Sequence, residues 1–65
     1  MSIRFLYDCE ILLNHKHSPV ETVFVLKDEV IEIMTIIYGN RGMEIYFEYG
    51  SILGLTYNLA EVIWW

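Results

Sequence analysis

Apolar and polar positions alternate along residues 3 to 13. Ile3, Phe5, Tyr7, Cys9, Ile11 and Leu13 fall on one face, and Arg4, Leu6, Asp8, Glu10, Leu12 and Asn14 on the other. This is the period of a strand with one buried face. Leu6 and Leu12 leave the second face only partly polar, which predicts partial cover by another element or subunit. Asn14-His15-Lys16-His17-Ser18-Pro19 follows as a polar connection built from turn-forming residues. Val20 to Lys27 predicts a second strand, marked by Thr22-Val23-Phe24-Val25-Leu26. The short connection makes an antiparallel hairpin the natural pairing.

Asp28 to Tyr38 changes the period. On a helical wheel Val30, Ile31, Ile33, Met34, Ile37 and Tyr38 share one broad side, with Asp28, Glu29, Glu32 and Thr35 opposite. Asp28 suits a helix cap, both leading acids suit a positive helix N-terminus, and Gly39 suits a stop. A strand fits this stretch less well, because it groups Glu32 with Met34 and Ile36. The spacing therefore predicts an acidic amphipathic helix. Two features resist it: the run of β-branched residues, which lowers helix propensity, and Ile36, an apolar residue on the acidic side.

Asn40-Arg41-Gly42 reads as a turn. Beyond it Met43, Ile45, Phe47 and Tyr49 alternate with Glu44, Tyr46 and Glu48, the cleanest strand pattern in the chain. Gly50-Ser51 fits a two-residue type II′ turn. Leu53, Leu55, Tyr57 and Leu59 then alternate with Ile52, Gly54, Thr56 and Asn58 as a fourth strand. Residues 60 to 65 either continue that strand or turn back as a short fifth. The expectation is one α+β domain over residues 1–65, an antiparallel sheet of four or five strands with one helix, in the order β-β-α-β-β.

Composition adds a constraint. Of 65 residues, 55% are hydrophobic and 15% aromatic. So short a chain buries a modest fraction of its surface, so an apolar patch stays exposed or a partner covers it. A homodimer is the expected solution. The net charge of −5, from nine acids and four bases, speaks against direct binding to nucleic acid or an anionic membrane. It suits a basic protein surface, or simply keeps a greasy chain in solution. Cys9, the lone cysteine, reads as a buried small hydrophobe in a reducing, intracellular setting. No apolar run has the length of a membrane span, and no signal peptide is visible.

Candidate chemistry is sparse. There is no Gly-rich phosphate loop and no Cys/His ligand set. His15 and His17 could face one ion, but no third ligand stands near in sequence, whereas structural zinc takes four protein ligands and catalytic zinc three. Ser18 and Ser51 fall in turns and both histidines in one loop, so a nucleophile–base–acid triad is hard to build. The acids Asp8, Glu10, Glu44 and Glu48 could pair across strands, but a general acid wants a sheltered pocket. The expectation is a binding protein that is not an enzyme and takes no cofactor or metal. Trp64-Trp65, the tyrosines and the methionines offer core, dimer or interface area.

Tyr7-Asp8, Leu12-Leu13-Asn14, Tyr38-Gly39-Asn40 and Glu44-Ile45, in that order and spacing, resemble the short uracil-DNA glycosylase inhibitors of small tailed phages. The resemblance covers roughly residues 7 to 54. It implies an acidic homodimer that mimics DNA and blocks host uracil-DNA glycosylase at its DNA-binding site, in the cytoplasm of an infected bacterial cell. It further implies that third strands and helices pair across a twofold axis around a hydrophobic pocket, with carboxylates standing in for phosphates. Position by position, Met34 matches an aromatic pocket residue and Tyr38 the helix-terminal tyrosine. Ile33 and Ile37 share their apolar side by helical spacing. Thr35 stands where the family has an acid, and the acid of its second strand falls near Val23 or Phe24. The phosphate mimics would then be drawn from Glu29, Glu32, Glu44 and Glu48. Residues 55 to 65 have no counterpart. The alternatives are an acidic dimeric inhibitor of another host nucleic-acid enzyme, or a small structural or assembly protein.

Overall fold

The computed structural model describes residues 1–64. Eight strands form two antiparallel sheets: β1 (Ser2–Phe5), β2 (Cys9–Asn14), β3 (Glu21–Val25), β4 (Val30–Glu32), β5 (Thr35–Tyr38), β6 (Gly42–Tyr46), β7 (Ile52–Thr56) and β8 (Ala60–Ile63). The small sheet runs β4-β1-β8 and the large one β3-β2-β7-β6-β5. Among the described residues there is no helix, so the fold is all-β and not the α+β arrangement that the spacing of residues 28 to 38 predicts.

The chain changes sheets between β1 and β2, β3 and β4, β4 and β5, and again between β7 and β8. Strands that cross from sheet to sheet make the corners of a two-layer fold. Between the layers lie Ile3, Phe5 and Ala60 from the small sheet, Ile11, Val25, Met43, Ile45, Leu53 and Leu55 from the large one, and Ile33 at a corner. The alternation over residues 3 to 13 is thus real in its burial, with Ile3, Phe5 and Ile11 inward. It is divided between two sheets, and exposed Tyr7 lies at the bend. Cys9 is a half-buried free thiol against the core.

Residues 28 to 38 form β4 and β5 for reasons visible in their side chains. Val30, Ile31, Thr35, Ile36 and Ile37 are β-branched and favour a pleated backbone. β4 pairs with β1 (Ile31 opposite Ile3), and β5 pairs with β6 (Ile36 opposite Ile45). At the corner between them Ile33 N–H donates to Met1 O at 2.9 Å, and Met34 N–H to Tyr46 O at 2.9 Å. The corner shifts the phase: Ile31, Ile33 and Ile36 face the core, while Val30, Met34, Ile37 and Tyr38 are exposed. A spacing of two and then three imitates a helical stripe. Ile36, the misfit of the helical wheel, is the inward residue.

Asp28 caps no helix. Its backbone is left-handed (φ 69°), in a tight turn closed by Glu29 N–H to Leu26 O at 3.0 Å. Aspartate is among the few non-glycine residues that visit this region. Two side chains brace the turn. Asp8 Oδ1 accepts from Lys27 N–H at 2.6 Å, and Glu29 Oε1 from Leu26 N–H at 3.2 Å.

β2 and β3 form the expected antiparallel hairpin, Ile11 opposite Val23. The β6–β7 turn is longer than a two-residue loop. Phe47 N–H donates to Ser51 O at 3.0 Å and Gly50 N–H to Phe47 O at 3.1 Å, with Gly50 at φ 83°. That is a three-residue loop ending in a left-handed glycine, as in a hairpin with a G1 bulge. Of the tail, Ala60–Ile63 turns back as β8 and pairs with β1. Trp64 is exposed, and Trp65, the second proposed aromatic anchor, lies outside the described residues.

Candidate functional site

The eight residues proposed for partner binding do not form one site. Glu32 and Glu48 share a recess of about 110 Å³ with Ile33, Phe47 and Tyr49. Ile33 is only 5% exposed and belongs to the core. Ile37 and Glu44 border a second, shallower recess with Arg41, Gly42 and Met43. Met34, Tyr38 and Glu29 line neither. Met34 lies exposed at the β4–β5 corner. Tyr38 stacks on Tyr57, rings 6.4 Å apart and inclined by 12°, and the Tyr57 hydroxyl donates to Gly39 O. Glu29 closes its own turn. A pocket bordered by a helix, on which the placement of Met34 and Tyr38 rested, does not exist here because the helix is replaced by β4 and β5. Nor is the third long strand free to pair with a second copy. β6 is hydrogen-bonded to β5 on one side and β7 on the other.

What the fold assembles instead is a mixed acidic and apolar surface. All nine acids are exposed. Among the described residues one of them, Glu61, makes an ion pair with an arginine, Arg4. On the outward face of the large sheet, Glu10 stands opposite Phe24 and Glu44 opposite Ile37, with Leu12 next along β2. Phe24, Leu12 and Ile37 are each more than half exposed. Glu44 Oε2 also accepts the Tyr46 hydroxyl at 2.6 Å. This hydrogen bond first, then partial desolvation and the negative charge of Glu44, push the Tyr46 phenol above its ordinary 10.0. A carboxylate thus stands beside a solvent-facing apolar side chain on two strand pairs.

A scan of family models, a search of curated proteins and a search of solved structures find no match to this chain.

One constellation escaped sequence reasoning. His15 follows β2, Glu21 opens β3, and Ser51 precedes β7. The pairings Leu13–Glu21 and Leu13–Leu53 bring their inward faces together. His15 Nδ1 lies 2.7 Å from Ser51 Oγ, and His15 Nε2 lies 3.0 Å from Glu21 Oε1. Ser51 is a buried polar residue, and with His15 it lines an apolar recess of about 240 Å³. The β2–β3 hairpin alone predicts that His15 and Glu21 are near. The third member needs the β2–β7 pairing, which no local pattern announces. His17 takes no part in this group, and among the described residues no cluster of three or more His, Cys, Asp or Glu is placed to hold a metal. No helix is long and apolar enough to cross a membrane, again among the described residues.

Proposed function

We propose that this chain is a protein-binding inhibitor module that covers a basic, nucleic-acid-binding surface, with uracil-DNA glycosylase as its target and the outward face of the large sheet as its contact surface. The observation that carries the reading is the pairing of exposed carboxylate with exposed hydrophobe, Glu10 with Phe24 and Glu44 with Ile37. Carboxylates match phosphates in charge sign and steer a basic cleft into contact, while apolar side chains beside them supply area that excludes water. The choice of target comes from the sequence resemblance alone. The contact surface differs from the one that resemblance implies.

Inhibition of uracil release from uracil-containing DNA tests the target. Dose-dependent inhibition of a bacterial uracil-DNA glycosylase, weakening as salt rises, is expected. Absence of inhibition at micromolar excess removes this target. Retained inhibition by the double variant E10K/E44K removes the surface.

A second reading is favoured by β3. It is an edge strand of the large sheet, and Val20, Phe24 and Leu26 on or beside it are exposed. Apolar edges invite pairing with another chain. We propose that a homodimer uses this edge, since both edges of β6 are taken. Sedimentation of the wild type against Phe24→Lys tests it, with the variant shifting to monomer.

A further inference from the structure

We propose that Ser51 is an activated nucleophile, with His15 as its base and Glu21 as the group that positions His15, and that the site cleaves esters of small apolar acids. The proposal is independent of the inhibitor reading and lies on different residues.

Hydrogen-bond direction carries it. An ionised glutamate can only accept, so the contact of Glu21 Oε1 with His15 Nε2 at 3.0 Å places the ring proton on Nε2. In the neutral ring Nδ1 is then a bare lone pair. Its partner 2.7 Å away, Ser51 Oγ, must donate to it. A serine hydroxyl that donates to a neutral imidazole held by a carboxylate is the arrangement that makes serine nucleophilic. The acid takes Nδ1 in the serine-protease triad and the serine takes Nε2. Here the two nitrogens exchange roles, but the logic of the tautomer is the same.

The surroundings add a substrate class. Ser51 and His15 line a recess of about 240 Å³ whose other walls include Leu13, Val23, Ile31 and Phe47. Such a space takes a short apolar acyl chain. It offers no cation for a charged one, since none of the four Lys and Arg residues lines it. Glu21 is more than half exposed on the outer side of the ring, which leaves the recess side to the reacting groups.

The chemistry is redox-neutral. Ser51 Oγ attacks the ester carbonyl and a C–O bond to serine forms, while the hydroxyl proton moves to His15 Nδ1. The C–O bond to the alcohol breaks, and the alcohol leaves with that proton. Water then attacks the acyl-serine, again giving a proton to Nδ1. The acid departs and Ser51 regains its hydrogen.

Two probes test this on the whole chain. A fluorophosphonate should label one residue, Ser51, in the unaltered protein, as read by peptide mass mapping. p-Nitrophenyl butyrate should be hydrolysed at a rate that falls at least about a hundredfold in Ser51→Ala and His15→Ala, the scale of lost base catalysis. Glu21→Gln should slow both readouts, and Glu21→Asp should restore part of the rate. Circular dichroism confirms that each variant is folded. A map without label on Ser51, or ester turnover undiminished in folded Ser51→Ala, overturns the proposal.

Discussion

The β6–β7 hairpin and the β4–β5 segment are both rich in β-branched or aliphatic residues and both feed the same core, yet one is legible and the other misleads. In β6–β7 each strand stays in one sheet. Met43, Ile45, Leu53 and Leu55 face inward with a constant period of two, and the register Ile45–Leu53 keeps them level. In β4–β5 the chain leaves one sheet for another at Ile33–Met34, and the inward set becomes Ile31, Ile33 and Ile36. Periodicity reports the path of the backbone only while the path is straight. A corner inserts one residue into the count, and the sum looks like a helix.

Substitution can break or sharpen this contrast. The largest effect is expected in the straight hairpin, where Ile45 and Leu53 are fully buried. Leu53→Ala should cost about 2–5 kcal/mol in urea unfolding, from lost burial and the cavity left behind. Gly42→Ala comes next. A Cβ there would strike the backbone of Leu55 across the ladder, and crowding of this kind costs about 1–3 kcal/mol. The corner itself is tested by a pair. Ile36→Ala should destabilise by about 1–2 kcal/mol, while exposed Ile37→Ala should stay within about 0.5 kcal/mol. A helix with Ile37 inward gives the reverse order.

Smaller effects follow at the margins. Asp28→Gly should stabilise by up to about 1 kcal/mol, because glycine takes the left-handed backbone without a Cβ clash. A helix cap at this position would instead lose stability on the same change. The smallest effect is electrostatic. In Glu44→Gln the Tyr46 phenol should titrate closer to its ordinary value, as followed by phenolate absorbance. The raised phenol makes the pair a contribution that is full below the unfolded-state pKa and is lost as pH rises through the folded one.

What could be read from the sequence follows from the same rule. The inward faces of residues 3 to 13 and 43 to 55, the β2–β3 hairpin and the exposed placement of the acids needed only local alternation and polarity. The corners at residues 6 to 8, 26 to 29 and 33–34 needed the sheet order. So did the place of Tyr38, whose ring stacks on Tyr57. The charge and the apolar excess were legible in the composition, but their location on the fold was not. Glu10 and Phe24 are neighbours only once β2 and β3 are paired. The Ser51–His15–Glu21 group lay furthest out of reach, since its members come from three strand ends and one of them is separated from the others by most of the large sheet in sequence.

The pairing of β1 with β8, Ser2 opposite Ile63, has a kinetic consequence. Each hairpin of the large sheet can close over a short loop, but the small sheet joins strands from opposite ends of the described chain. Closing so long a loop delays the contact relative to local ones. On a ribosome, β1 emerges before the other described strands and has no partner on its β8 side until β8 is free. Until then β1 can be hydrogen-bonded on its β4 side only. The small sheet is therefore a lock that only β8 can turn, and the described fold completes after synthesis of β8 rather than during it.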